Sequence, residues 1–168
     1  PDFVAIKDDH FRPAFEAALA EQTEEFEAIC GNPEPPTFLN TIEALERHGL
    51  LLDRVSSVFW NRAGGDTNPV IQEIEREIAP RLTEHFSRQM TDPRIFQRIQ
   101  SVVDDGSDGL TSEQARVLEL MHQNYRRAGA GLDAAGKARM QAIMGRLSEL
   151  GTAFSQNVLK DEAAWSMT

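Results

Sequence analysis

At 168 residues the chain is long enough to bury about 70% of the surface its unfolded form exposes, so a core forms without disulfide or metal staples. Hydrophobic residues make up 40% and charged residues 26%, an ordinary globular balance. The 27 acidic residues against 17 basic ones leave a net charge of -10, which repels nucleic acid and anionic membranes, and neither is expected as a partner.

The apolar residues recur with helical spacing from the start. Phe11, Phe15, Leu19, Gln22, Phe26 and Ile29 step by four and three, with Pro13 in the tolerated first turn of the helix. The stretch Cys30–Pro36, "CGNPEPP", carries three prolines and a glycine and ends it. A second series, Phe38, Ile42, Leu45, Gly49, Leu52, Val55 and Phe59, lies on one face. Gly49 sits inside that face, at a cost of about 1 kcal/mol relative to Ala. It marks either a bend or the close approach of another helix. Asn68-Pro69 is a cap followed by a first-turn proline, and it opens the stripe Ile71, Ile74, Ile78, Leu82 and Phe86. Pro80 within that stripe predicts a kink or break near Ala79.

Asp92-Pro93 repeats the start signal for a short helix bearing Ile95, Phe96, Ile99, Val102 and Val103. After the loop Asp104–Gly109, Thr111 and Gln114 form a capping box that opens a helix with Leu118, Met121 and Tyr125. The last helix runs from Asp133 to about Asp161, with Met140, Ile143, Leu147, Leu150, Phe154 and Val158 along one side. No stretch alternates with period two. The expected architecture is all-α, about six helices in an irregular antiparallel bundle with short connections.

Chemistry is harder to find. Cys30 is the sole cysteine, so there is neither an intrachain disulfide nor a thiolate zinc cluster, and a reducing, cytoplasmic setting is expected. Between an acidic helix and a proline-rich loop it is a poor thiolate. No apolar run reaches the ~20 residues of a membrane helix. "GLDAAGKA" (Gly131–Ala138) falls one residue short of a phosphate-binding loop, because Ala138 has no hydroxyl and a helix, not a strand, precedes it. A helix end at Gly129 or Gly131 and a new cap at Asp133 explain it better. "DDGSDGLTSEQA" (Asp104–Ala115) imitates a calcium loop, but Gly106 and Ala115 stand at two ligand positions. His10, His48, His85 and His122 form no H-E-x-x-H pair, and no two are four apart on one helix. His48, just before Gly49, is placed to meet carbonyls at a local helix end. Glu24-Glu25 and the acidic residues around Glu73–Glu77 read as solvated helix faces. No catalytic, cofactor-binding or metal-ligating residue is assigned.

Several strings, in order, do point outward. They are "HFRPAFEAALAEQTEEFEAI" (His10–Ile29), "NPEPPTFLNTIEALERHGLLLDRVSSVF" (Asn32–Phe59), "DTNPVIQEIEREIAP" (Asp66–Pro80), "RRAGAGLD" (Arg126–Asp133) and "RLSELGTAFSQNVLKDEAAW" (Arg146–Trp165). Together they resemble the N-terminal region of the thimet oligopeptidase family of zinc metallopeptidases. The first half is most similar to peptidyl-dipeptidases (dipeptidyl carboxypeptidases), and the end is shared with oligopeptidase A.

That resemblance implies that residues 1–168 are the N-terminal helical domain of a two-lobed, mostly helical enzyme with a channel between its lobes. Zinc and its ligands would lie in a catalytic domain C-terminal to this chain. The implied partners are short peptide substrates, through the parent enzyme, and the chain's own C-terminal catalytic domain. Trp165 would pack against that domain. The alternative is a stand-alone helical interaction module without enzymatic activity.

Overall fold

The computed structural model describes residues 5–164 and, along its last helix, a subset of the side chains. A short 3-10 turn, Asp8–His10, leads into α1 (Phe11–Cys30). A π-helical turn, Phe38–Glu43, continues into the single turn α2 (Ala44–Arg47). Then follow α3 (Leu50–Gly65), α4 (Pro69–Met90), α5 (Pro93–Asp104), α6 (Ser112–Arg127) and α7 (Ala134–Ala164). The described residues contain no strand, as expected of an all-α chain. The expected helices correspond to α1 and α3–α7, and α2 is an extra turn.

The helix starts follow their local chemistry. Asn68 Oδ1 accepts from the N–H groups of Val70 and Ile71, Asp92 Oδ1 from Arg94, and Thr111 Oγ1 from Gln114. Gly129, at φ 89°, closes α6, and the Ala130 N–H returns to the Tyr125 carbonyl. Asp133 Oδ1 takes the Gly136 N–H at 2.7 Å and so opens α7.

Three expectations need correction. The series Phe38–Phe59 is not one helix: it divides at His48 and Gly49 into the π turn, α2 and α3. Gly49 has φ 77°, a left-handed conformation that a helix interior cannot contain. Pro80 does not break α4, which runs unbroken from Pro69 to Met90. Arg76 and Pro80 are both exposed, so water can meet the Arg76 carbonyl that loses its N–H partner. Phe86 ends the apolar stripe early, 43% exposed, and Gln89 holds the buried position one turn further on.

The chain divides into two compact units, Pro1–Ala130 and Gly131–Thr168. The first contains two hydrophobic clusters. One joins Phe11, Phe15 and Ala18 of α1 to Leu52 and Phe59 of α3 and to Ile71, Ile74, Ile78 and Leu82 of α4. Phe59 lies edge-on to Phe11 at 5.2 Å and to Phe15 at 5.3 Å, an arrangement that adds about 1 kcal/mol per pair to simple burial. The other joins Phe26 and Ile29 of α1 to Ile42, Leu45, Ile95, Ile99, Val102, Leu118 and Tyr125. Thus α1 serves both clusters, one with each half. Arg12 grips Glu77, and Arg81 grips Glu16, each with two hydrogen bonds, and these pairs fix the register of α1 against α4. Part of the acidic face around Glu73–Glu77 is therefore a helix–helix clasp and not merely solvated.

The second unit is α7. The side chains described along it include no buried one, and its apolar stripe faces solvent. Ile143 is 49% exposed, Leu147 57%, Leu150 48%, Phe154 70% and Val158 38%. Trp165 lies outside the described residues.

Candidate functional site

Two buried polar clusters stand out in the first unit. The first occupies the seam between the two hydrophobic clusters. On α1, Gln22 falls between Ala18 of one and Phe26 of the other, and it is buried. His85 Nε2 lies 2.7 Å from Gln22 Oε1 and 3.2 Å from Gln89 Nε2. Gln89 Oε1 in turn faces His48 Nε2 at 3.4 Å, and His48 Nδ1 donates to the Leu45 carbonyl at 2.5 Å. His48 thus meets a carbonyl at a local helix end, as the sequence suggests. Next to it, the Gly49 N–H donates to Glu25 Oε2 at 2.7 Å. Glu25 is a cap for the α2–α3 junction, which corrects its reading as a solvated acid.

The second cluster centres on Arg98 and Asn40. Arg98 is 8% exposed, and no carboxylate pairs with it among the described residues. Its Nη1 donates to the Asn32 carbonyl at 2.8 Å and its Nη2 to Asn40 Oδ1 at 3.1 Å. The same Oδ1 accepts from the Thr37 N–H at 2.8 Å and from the Thr41 hydroxyl at 2.9 Å. Asn40 Nδ2 donates to the Pro35 carbonyl at 2.9 Å. This closes the proline-rich turn onto α5 and gives the string "PTFLNTIEALE" a physical reason. Sequence reasoning missed both residues, because neither the buried Arg98 nor the acceptor Asn40 interrupts an apolar period.

The remaining candidates stay apart. His10 is exposed, and its Nδ1 accepts from the Lys7 N–H at 3.3 Å. His122 stacks on Phe96, at 5.8 Å and 8°, and its Nε2 reaches Gln100 Oε1 at 2.8 Å. Burial, together with Arg126, holds His122 below the ordinary imidazole range. Burial first, then Asp92, pushes the Cys30 thiol up to about 11, so it is no nucleophile at neutral pH. The residues of the near phosphate loop form the turn and cap that open α7 and its first turn, and a helix, not a strand, precedes them. Gly106 and Gly109 of the near calcium loop both have φ 86°, as turn glycines do.

Among the described residues no group of three or more His, Cys, Asp or Glu side chains could hold a metal ion. No helix among them is long and apolar enough to cross a membrane. Fold and clusters together define an all-α domain whose buried polar groups position backbone and helices.

Comparison with known proteins gives that domain its relatives. No family model matches the chain. It is 35% identical over 160 residues to dipeptidyl carboxypeptidase of Escherichia coli, a match that covers 95% of this chain and 24% of the relative. Oligopeptidase A of Salmonella typhimurium is 26% identical over 167 residues, 99% of this chain and 25% of that protein. A thimet-like oligopeptidase of Dictyostelium discoideum is 20% identical over 139 residues, 80% of this chain and 21% of its own. The chain is therefore a homologue of part of these peptidases, and it spans about a quarter of their length.

Proposed function

We propose that the chain is the N-terminal helical domain of a cytoplasmic zinc peptidase that hydrolyses short peptides. In it the domain would form part of one lobe and of the substrate-channel wall. One observation carries this reading: 35% identity sustained over 160 residues to a protein named for dipeptidyl carboxypeptidase activity, of which the chain spans 24%. The described residues do not fit a zinc site, since no three or more His, Cys, Asp or Glu side chains among them gather to hold one. On this reading the metal belongs to the catalytic domain in the rest of the polypeptide, and no step of hydrolysis passes through this chain. What the chain offers is shape. Two hydrophobic clusters share α1, and α7 carries an apolar stripe from Ile143 to Val158. Covering such a stripe stabilises an assembly by about 25 cal/mol for each Å² removed from water. The chain's own catalytic domain is the proposed cover.

The test takes the whole native reading frame. Its product, purified with zinc, is expected to release dipeptides from the free C-terminus of a short peptide. Cleavage at internal bonds would instead indicate oligopeptidase activity. Residues 1–168 alone are expected to cleave nothing and to retain no stoichiometric zinc. A native frame that stops after Thr168, or one tightly held zinc per isolated chain, would overturn the reading.

A further inference from the structure

We propose that His48, Gln89, His85 and Gln22 form a proton-coupled latch at the α2–α3 junction, in which a proton taken up by His48 reverses the hydrogen bonds running to Gln22. The argument starts from one fixed end. The Leu45 carbonyl can only accept, so His48 Nδ1, 2.5 Å away, carries a hydrogen in either charge state. The state of Nε2 then sets everything beyond it.

With His48 neutral, Nε2 is an acceptor, and Gln89 must turn its amide NH₂ toward it. The Gln89 carbonyl oxygen then faces His85, whose Nε2–H donates to it and to Gln22 Oε1. With His48 charged, Nε2–H donates to Gln89 Oε1, the orientation seen here at 3.4 Å. Gln89 Nε2 then donates to His85 Nε2, 3.2 Å away, and His85 must carry its hydrogen on Nδ1. Gln22 stands in the other sense, with its oxygen 2.7 Å from the same His85 nitrogen. His85 Nε2 is therefore addressed by a donor and an acceptor at once, and no single protonation state satisfies both. The cluster has two self-consistent arrangements, and one proton separates them.

The far end of the chain is mechanically coupled. The Gln22 amide fills the space beside Gly49: a Cβ built there would lie 2.0 Å from Gln22 Nε2. Turning that amide alters the packing of the residue whose φ of 77° makes the α2–α3 break and whose N–H is held by Glu25. The charged and titratable surroundings are mixed. Glu25 of α1 and Glu46 of α2 stand near His48, and Tyr125 of α6 lines the same cavity. Glu27 of α1, Arg88 of α4, Asp92 and Arg94 line the cavity of about 220 Å³ beside His85. Burial first, then Arg88 and His48, depress His85.

The test is nitrogen NMR of the histidine side chains in the 168-residue chain across a pH titration. At pH 8 the expected forms are Nδ1–H for His48 and Nε2–H for His85. The step to follow is the one in which His48 becomes an imidazolium. His85 should change to Nδ1–H in the same step, and the Gly49 amide signal should move with the same midpoint. In Gln89→Leu, His85 is expected to keep Nε2–H while His48 titrates. A wild-type His85 that holds one tautomer while His48 titrates overturns the latch, as does coupling that survives Gln89→Leu. Should that variant fail to fold, the wild-type titration still decides.

Discussion

Gly49 concentrates several demands in one residue. Its φ of 77° is one that a Cβ penalises by about 1–2 kcal/mol. A methyl there would also meet the Gln22 side chain, which is itself held by His85. Gly106 shares the positive φ, at 86°, but has open space around it. Gly49→Ala is therefore expected to lose about 1 kcal/mol more than Gly106→Ala, the worth of one displaced hydrogen bond. Urea denaturation of both variants measures the difference, and equal losses would mean that the Gln22 contact carries no energy. The sequence offered two explanations for a glycine on an apolar face, a bend or the close approach of another helix; the chain breaks there and does not bend, and the approaching helix is α1. It could not name Gln22 as the approaching group, because that contact joins positions 22 and 49 through the fold.

At the scale of elements, most of what is local was legible. Asn68-Pro69, Asp92-Pro93 and Thr111 with Gln114 open helices where expected, since a cap acts within four residues. The π turn and α2 were hidden, because the apolar spacing from Phe38 to Phe59 continues smoothly across the break. The clamp between α5 and the proline-rich turn was hidden for a different reason. Arg98 stands beside Ile99 in an otherwise ordinary amphipathic helix, and its acceptors are mostly backbone carbonyls that no side-chain pattern reports. Replacing Arg98 by Met keeps the stem but takes the side-chain donor from the buried Asn32 carbonyl, while Asn40 Oδ1 keeps its bonds from Thr37 and Thr41. The expected loss is about 2–3 kcal/mol by denaturant melt. Arg98→Lys should recover little of it, because one ammonium on a shorter reach cannot serve both acceptors. A Lys variant of native stability would show that charge, and not the two-pronged geometry, holds the turn.

At the scale of the molecule, the two units differ in what stabilises them. Both hydrophobic clusters are built from residues between Phe11 and Ala130. In α7 the stripe Ile143, Leu147, Leu150, Phe154 and Val158 is exposed, so among the described side chains of that helix burial contributes little. In proteins most of a helix's stability comes from packing its apolar face and little from propensity. A chain ending at Ala130 is therefore expected to unfold cooperatively at the same denaturant midpoint as the full 168 residues. Hydrogen exchange on the full chain should show amides of α7 opening at far lower free energy than those of α1 and α4. Loss of folding on truncation, or α7 protection equal to that of α1, would refute this division of stability. The same measurement bears on function. If the stripe is the face that the rest of a peptidase covers, then in the whole native polypeptide α7 gains protection while α1 and α4 keep theirs. An interaction module complete at Thr168 would show that gain only when its separate partner is added.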